Sequence, residues 1–215
     1  MTAALSSVLD FKNCHENAAV LSHNPGGYNL GIIGLGSIGY EIARKAYIAF
    51  GMKIEYYDVV FKDVAKEAGI KAESCSDLDA MLAVSDCVVL AILASPDGKK
   101  VITKERLTKL KVGFRFVNIA RGSLFDKEAV ADAVEQGRLV GVGMDVHESE
   151  PTFNERLKAS KLVTLTSHNA RGTLRTHIGS TSLAMRNIDA VLKEREPLTL
   201  VNKHLIIVPT IEAKL

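Results

Sequence analysis

The stretch between Leu30 and Asp58 constrains the fold of this chain more than any other part of the sequence. A short apolar run is followed by Gly34, Gly36 and Gly39 in the order G-x-G-x-x-G, then by a helical segment and a second apolar run that ends at Asp58. This order predicts the strand–turn–helix–strand unit that binds dinucleotides. In such a unit the first glycine permits a tight turn, the second lets the backbone approach a pyrophosphate, and the third lets the helix pack closely on the strand.

The position of Asp58 adds to this prediction. It lies 19 residues after Gly39, close to the spacing of about 20 residues at which a carboxylate bonds the 2′-hydroxyl of a ribose. A 2′-phosphate would be repelled by this carboxylate, so Asp58 favours NAD over NADP. The N-terminus of the helix offers main-chain N–H groups and a partial positive charge to the phosphates. The alternative is a plain strand–helix turn with an unrelated surface aspartate.

Apolar runs alternate with helical segments through most of the chain, which is the pattern of a parallel sheet with helices on both faces. The predicted strands cover residues 30–33, 53–57, 70–72, 87–93, 114–119, 139–144 and 162–166. The predicted helices cover residues 38–50, 62–68, 77–83, 104–109, 127–136 and 173–193. We therefore predict an α/β fold with a doubly wound parallel sheet of the Rossmann type, as a single coenzyme-binding domain.

Local signals set the expected boundaries of these elements. Polar residues that can accept a hydrogen bond precede three of the predicted helices, and the expected N-caps are Ser76, Thr103 and Asp126. In the helix at 38–50, apolar residues at helical spacing predict an inner side formed by Ile38, Ile42, Ala46 and either Ile48 or Ala49. Residues 1–28 form an N-terminal segment that ends in a Pro-Gly-Gly linker, residues 29–171 the dinucleotide-binding domain, and residues 172–215 a C-terminal helix and tail.

Composition and charge predict neither a nucleic acid nor a membrane as a partner. The chain has 215 residues, 27 basic and 25 acidic, and a net charge of +2, so nothing in its charge predicts nucleic acid or an anionic membrane as a partner. The first ten residues lack the features of a secretory signal, and there is no apolar run long enough for a transmembrane helix. Cys14, Cys75 and Cys87 are scattered without metal-type spacing, which predicts reduced thiols, a cytoplasmic location and no metal site.

Three predicted strands are followed by residues suited to acid–base chemistry. Arg121 follows the strand at 114–119, Glu150 lies a few residues after the strand at 139–144, and His168 follows the strand at 162–166. Because the carboxyl ends of parallel strands meet at one edge of the sheet, these side chains should converge near the glycine turn. A histidine with a carboxylate beside it and an arginine that binds a carboxylate suit hydride transfer at a carbinol carbon.

Each of these residues has a structural alternative. Arg121 could cap a strand end, Glu150 could be a solvated turn residue, and His168 could be a histidine whose hydrogen bonds are satisfied within the core. Structural or surface roles are also the expectation for five further residues, which are His147, Glu148, Arg171, His177 and His204.

Taken together, these motifs resemble the coenzyme-binding domain of the D-isomer-specific 2-hydroxyacid dehydrogenases. The matching pieces are GLGSIG at 34–39, Asp58, VNIARGSLFDKEAV at 117–130, GVGMDVHESEP at 141–151 and His168. The resemblance covers roughly residues 29–193. The stretches SHNPGGYNLGIIGLG and EPLTLVNKHL are similar to the fungal branch that includes D-mandelate dehydrogenases and glyoxylate or hydroxypyruvate reductases.

The resemblance implies roles for individual residues. Arg121 would bind and polarise a 2-oxoacid, and His168 would donate the proton in reduction and accept it in oxidation. Glu150 would pair with His168 and favour its protonated form, and this glutamate favours hydroxyacid chemistry because formate-oxidising members carry glutamine there. The implied cofactor contacts also include Ser37 and Ile38 at the pyrophosphate, Ser95 in place of a family threonine, Ile119 near the nicotinamide, and Asp145 at its carboxamide.

Two functions remain open on these grounds. The first is an NAD(H)-dependent oxidoreductase for small 2-oxoacids and D-2-hydroxyacids. The second is a weakly active or inactive NAD(H)-binding and dimerising module, because the family carries a substrate domain before the glycine motif and only 33 residues precede Gly34 here. A third possibility is an incomplete gene model or a relic, whose full product would have the first function. The family also implies a homodimer, to which residues 1–28 would contribute.

Overall fold

The computed structural model describes residues 23–59, 69–94, 97–193 and 195–200. The predictions for the first 22 residues, for the helix at 62–68, for Ser95 and for the chain end after residue 200 lie outside these ranges. The described residues form two units, one that ends at Ala170 and one that begins at Arg171. Within the described ranges, no helix is both long and apolar enough to cross a lipid bilayer.

The first unit is built on a parallel sheet with seven strands among the described residues. The strands are β1 (Asn29–Ile33), β2 (Lys53–Tyr57), β3 (Glu73–Ser74), β4 (Cys87–Leu90), β5 (Phe114–Asn118), β6 (Leu139–Met144) and β7 (Val163–Leu165). Their spatial order is β3-β2-β1-β4-β5-β6-β7, and every pair is parallel. The order reverses between β1 and β4, which places a topological switch point, the usual ligand-binding crevice of such sheets, at their carboxyl ends.

Helices pack on both faces of the sheet, so the predicted doubly wound α/β fold is confirmed. The helices of the first unit are α1 (Ser37–Phe50), α2 (Leu78–Val84), α3 (Lys104–Lys109), α4 (Lys127–Glu135) and α5 (Glu155–Ala159). One apolar cluster joins α1 to one face of β1, β2 and β4. The other joins α2, α3, α4 and α5 to the opposite face. The second unit holds α6 (Leu174–Leu192), as the pattern at 173–193 predicted.

Most predicted elements are found within one or two residues of their expected ends. Thr103 and Asp126 cap α3 and α4 as predicted, since each side chain accepts a main-chain N–H of the first turn. Ser76 does not cap α2, because Asp77 occupies that position and accepts the N–H of Asp79 at 2.9 Å. The strand predicted at 70–72 is also displaced, since Ile70 is helical and β3 begins at Glu73.

The predicted inner side of α1 is wrong for two of its isoleucines. Ile38 and Ile48 are each 65% exposed, whereas the buried residues of this helix are Gly39, Ala43 and Ala46. Helix α1 lies so close to the turn after β1 that a side chain at Gly39 would collide with the carbonyl oxygen of Gly34. The apolar pattern therefore indicated the helix correctly and placed Ile42 and Ala46 on its inner side, where they are found, but it placed Ile38 and Ile48 there wrongly.

Candidate active site

The three glycines of the turn differ in what surrounds them. Gly34 has a φ of +95°, and a side chain there would collide with Ile92 and the carbonyl oxygen of Ala91. A Cβ on Gly39 would lie 2.0 Å from the carbonyl oxygen of Gly34, whereas one on Gly36 would meet nothing within 4 Å. The first and third glycines are therefore required by the fold itself, and the second faces open space.

That open space fits a pyrophosphate. Helix α1 begins at Ser37 with no side-chain cap, and its first intrahelical bond runs from the N–H of Tyr40 to the carbonyl of Gly36 at 2.8 Å. The N–H groups of the first turn, which include those of Ser37 and Ile38, have no carbonyl within the helix to bond. These N–H groups lie at the N-terminus of the helix, which is also the positive end of the helix dipole. Phosphates bind at such helix ends.

Asp58 follows β2 and lies beside the turn. Its Oδ2 accepts the N–H of Leu35 at 2.8 Å, and the N–H of Gly34 donates to the carbonyl of Tyr57 at 2.8 Å. The carboxylate is thus held at the edge of the glycine turn, where it would contact the ribose of a dinucleotide. Ile119, at the exit of β5, is half-buried against the cluster around α1, on the same face of the sheet as the turn.

Arg121 follows β5 on a loop that Asn118 shapes. The buried amide of Asn118 accepts the N–H of Ala120 and donates to the carbonyl of Arg121, both at 2.9 Å. The exposed guanidinium of Arg121 donates to the carbonyl of Ala120 at 2.6 Å. The side chain of Asn118 therefore fixes the main chain of the loop, and the guanidinium of Arg121 is exposed to solvent.

Gly122 brings this loop against the one that follows β6. A Cβ at Gly122 would lie 2.1 Å from the carbonyl carbon of His147 and 2.2 Å from the nitrogen of Glu148. Only a residue without a side chain allows this contact between two main chains. The segment with Arg121 and the segment with Glu150 are therefore held next to each other.

Glu150 and His168 form a hydrogen-bonded pair. The Nδ1 of His168 lies 3.0 Å from Oε2 and 3.1 Å from Oε1 of Glu150, and the two side chains are 43% and 40% exposed. The pKa of Glu150 lies below its ordinary value, first because the main-chain N–H of His147 bonds it and then because His168 does. Since a carboxylate can only accept, Nδ1 carries a proton and Nε2 is the nitrogen that can give or take one.

Asp145 holds the loop that carries His168. Its Oδ1 accepts the hydroxyl of Thr166 at 2.6 Å and the N–H of Asn169 at 3.0 Å, and its Oδ2 accepts the N–H of Ala170 at 3.1 Å. Burial opposes the charged form, but these hydrogen bonds outweigh it, so the pKa of Asp145 lies below its ordinary value. His168 itself has a φ of +53°, which few residues with a side chain adopt unless their neighbours are held.

The structure thus brings Arg121, Glu150 and His168 to the carboxyl edge of the sheet, together with the glycine turn. The contact of Asp145 with a nicotinamide stays a prediction, because its oxygens are bonded to the loop after β7. Sequence reasoning missed the roles of Asn118 and Gly122, although both lie within the quoted motif VNIARG.

Comparison with known proteins places these features in a family. Residues 4–170 match the sequence model described as "D-isomer specific 2-hydroxyacid dehydrogenase, NAD binding domain". The chain is 39% identical over 187 residues to a glyoxylate reductase of Thermococcus kodakarensis, covering 86% of this chain and 55% of that protein. It is 32% identical over 186 residues to 4-methyl-2-oxopentanoate reductase A of Aspergillus oryzae, with the same coverage.

Solved structures agree with this match. The holo form of D-mandelate dehydrogenase from Rhodotorula graminis superposes with a TM-score of 0.86 at 36% identity, over 92% of this chain and 58% of that one. The chain spans about half the length of the curated relatives it matches.

Proposed function

Since the chain belongs to the D-isomer specific 2-hydroxyacid dehydrogenase family and its cofactor is NAD, we propose that it interconverts small 2-oxoacids and D-2-hydroxyacids by hydride transfer. The observation that carries the proposal is the hydrogen-bonded pair of Glu150 and His168 beside the loop of Arg121. The family membership agrees with the resemblance seen in the motifs. Relatives named for glyoxylate, mandelate and 4-methyl-2-oxopentanoate suggest small 2-oxoacids as the substrate class.

In the proposed reaction, the guanidinium of Arg121 binds the substrate carboxylate through two hydrogen bonds and polarises the neighbouring carbonyl. In reduction, His168 gives the proton on Nε2 to the carbonyl oxygen, while Nδ1 stays bonded to Glu150. The carboxylate stabilises the imidazolium before the transfer and keeps the ring oriented after it. NAD(H), when bound, supplies or accepts the hydride at the carbinol carbon. In oxidation, Nε2 takes the hydroxyl proton.

The test uses the purified chain with NADH and glyoxylate, hydroxypyruvate or benzoylformate. We expect loss of NADH absorbance with at least one substrate, and we expect His168→Ala to abolish it. His177→Ala is the matched control, because it removes an exposed histidine of α6. Normal binding of NADH without turnover of any 2-oxoacid would refute the enzymatic proposal for this chain.

A second candidate is an NAD(H)-binding module with little or no turnover. The exposure of both side chains in the Glu150–His168 pair favours it, because water at the site weakens the electrostatic effects that speed proton and hydride transfer. This candidate predicts NADH binding by fluorescence titration without consumption. Either function is compatible with the proposed homodimer, and a monomer in sedimentation would exclude that assembly.

A further inference from the structure

His147 is bonded to both segments that form the catalytic pair. Its main-chain N–H donates to Oε1 of Glu150 at 3.0 Å. Its imidazole Nε2 lies 2.8 Å from the carbonyl oxygen of Thr166, two residues before His168. His147 therefore joins the loop after β6 to the end of β7. The hydrogen bond between Glu150 and His168 joins the same two segments.

The imidazole of His147 is held in one orientation. A carbonyl oxygen can only accept, so Nε2 of His147 carries the proton and donates it to Thr166. The ring also meets the ring of Phe153 edge-on, with the centroids 4.6 Å apart and the planes at 79°. Phe153 lies three residues after Glu150, so the ring of His147 packs against the far end of the segment that carries the glutamate.

The main chain of His147 also lies against the loop of Arg121. Gly122 packs directly on the carbonyl group of His147. The residue therefore contacts three loops at the carboxyl edge, which carry Arg121, Glu150 and His168. The pairing of β6 with β7 ends at Met144 and Leu165, so the side chain of His147 takes no part in the ladder between these strands.

We propose that His147 is a positioning residue, whose side chain sets the geometry of the Glu150–His168 pair by tying the loop after β6 to Thr166. Its effect on catalysis rests on the proposed function. Its effect on the pair does not, because the hydrogen bond at Nδ1 of His168 can be observed without turnover.

Two variants separate the hydrogen bond from the packing of the ring. His147→Phe keeps an aromatic ring against Phe153 and removes the donor to Thr166, while His147→Gln supplies an N–H donor of similar reach and removes the ring. His23→Phe is the matched control, because His23 also meets an aromatic ring edge-on, that of Tyr28 at 6.2 Å, and lies outside these loops.

The first readout is the ¹⁵N NMR spectrum of histidine-labelled protein, under alkaline conditions in which the imidazoles are neutral. In the wild type, the two nitrogens of His168 should show the well separated shifts of a ring protonated at Nδ1. In His147→Phe they should move toward each other as the tautomers mix, and His147→Gln should restore most of the separation. The second readout is turnover, where kcat should fall about threefold to tenfold in His147→Phe, the effect of one hydrogen bond, with KM little changed.

The proposal is overturned if His147→Phe leaves the His168 nitrogen shifts at their wild-type values, or if His147→Gln disturbs them as much as His147→Phe does. Should His147→Phe fail to fold, His147→Leu takes its place as the variant without the donor, and unchanged His168 shifts in His147→Leu overturn the proposal. Absence of turnover in the wild type would refute the proposed function alone, because the NMR comparison still decides the role of His147.

Discussion

Replacing Gly122 by alanine should separate two loops of the candidate site. The added Cβ would lie 2.1 Å from the carbonyl carbon of His147, and ordinary contact for a Cβ begins at 3.4 Å. The loops must therefore move apart by about 1.3 Å, the difference between these distances. The atoms in the way belong to the main chain, so no side-chain rotation can relieve the collision.

The expected cost follows from this geometry. Overpacking in a well-packed site costs about 1–3 kcal/mol, and each kcal/mol lowers Tm by roughly 2–4 °C in a domain of this size. We therefore expect Gly122→Ala to lower Tm by about 2–12 °C. The same displacement moves Arg121 relative to the Glu150–His168 pair, and a misplacement of about 1 Å can lower kcat by roughly 100-fold.

Gly143→Ala provides the matched control. A Cβ at Gly143 would lie 3.7 Å from a methyl group of Val117, which is ordinary contact, and this glycine belongs to β6, the strand that leads to His147. Both substitutions restrict the unfolded chain by about 0.4–1 kcal/mol, so the difference between the variants isolates the collision. Thermal unfolding and NADH consumption measure the two effects. If Gly122→Ala unfolds at the same temperature as Gly143→Ala, the inferred contact between the loops is wrong.

Three further substitutions test other parts of the site. Gly36→Ala should not lower Tm as Gly122→Ala does, because no atom lies within 4 Å of the new Cβ, but it should weaken NADH binding, since the second glycine is where the backbone approaches a pyrophosphate; fluorescence titration measures this, and unchanged affinity would contradict a pyrophosphate at the turn. The pKa of Glu150 is lowered by His147 and His168, so its ionised form stabilises the fold above the ordinary carboxyl value of 4.5, and this contribution disappears as the pH falls through the lowered pKa. The Tm of the wild type should therefore exceed that of Glu150→Gln near neutral pH and approach it in acid, and a constant difference in Tm across pH would argue against the pairing. Asp145→Ala should cost about 1.5–3 kcal/mol, the value of a hydrogen bond to a charged group, and should speed amide exchange in the loop that carries His168; unchanged exchange would show that the loop does not depend on Asp145.

The order of strands and helices could be predicted because apolar runs and helical spacings in the local sequence indicate it. The continuous apolar run that begins at Cys87 predicted a strand buried on both faces, and β4 lies in the middle of the sheet. The rule that ligands bind at the carboxyl edge of such sheets then predicted that Arg121, Glu150 and His168 would share one edge. Neither step required knowledge of contacts between distant residues.

The features that the sequence did not predict depend on distances between helices and strands, and no local sequence pattern contains these distances. Helix α1 buries Gly39, Ala43 and Ala46 and leaves Ile38 and Ile48 exposed, because its position on the sheet, which its own sequence pattern does not contain, decides which side is covered. Helix α5, absent from the prediction, has five residues, too few for a helical period to show. Contacts with another helix stabilise it, since Arg156 forms ion pairs with Glu128, Asp132 and Glu135 of α4.

The same reasoning explains why the residues around the Glu150–His168 pair were harder to identify than the pair itself. A histidine, a carboxylate and an arginine at strand ends indicate a chemistry by their type alone. Asn118, Gly122 and His147 indicate nothing by type, because each acts through main-chain atoms of another loop, by hydrogen bonds or by close approach. If these contacts set the geometry of the site, conservative substitutions at these three positions should disturb the hydrogen bond between Glu150 and His168. The disturbance should be as large as that from a substitution that removes the charge of Glu150. The variants of Gly122 and His147 test that consequence directly.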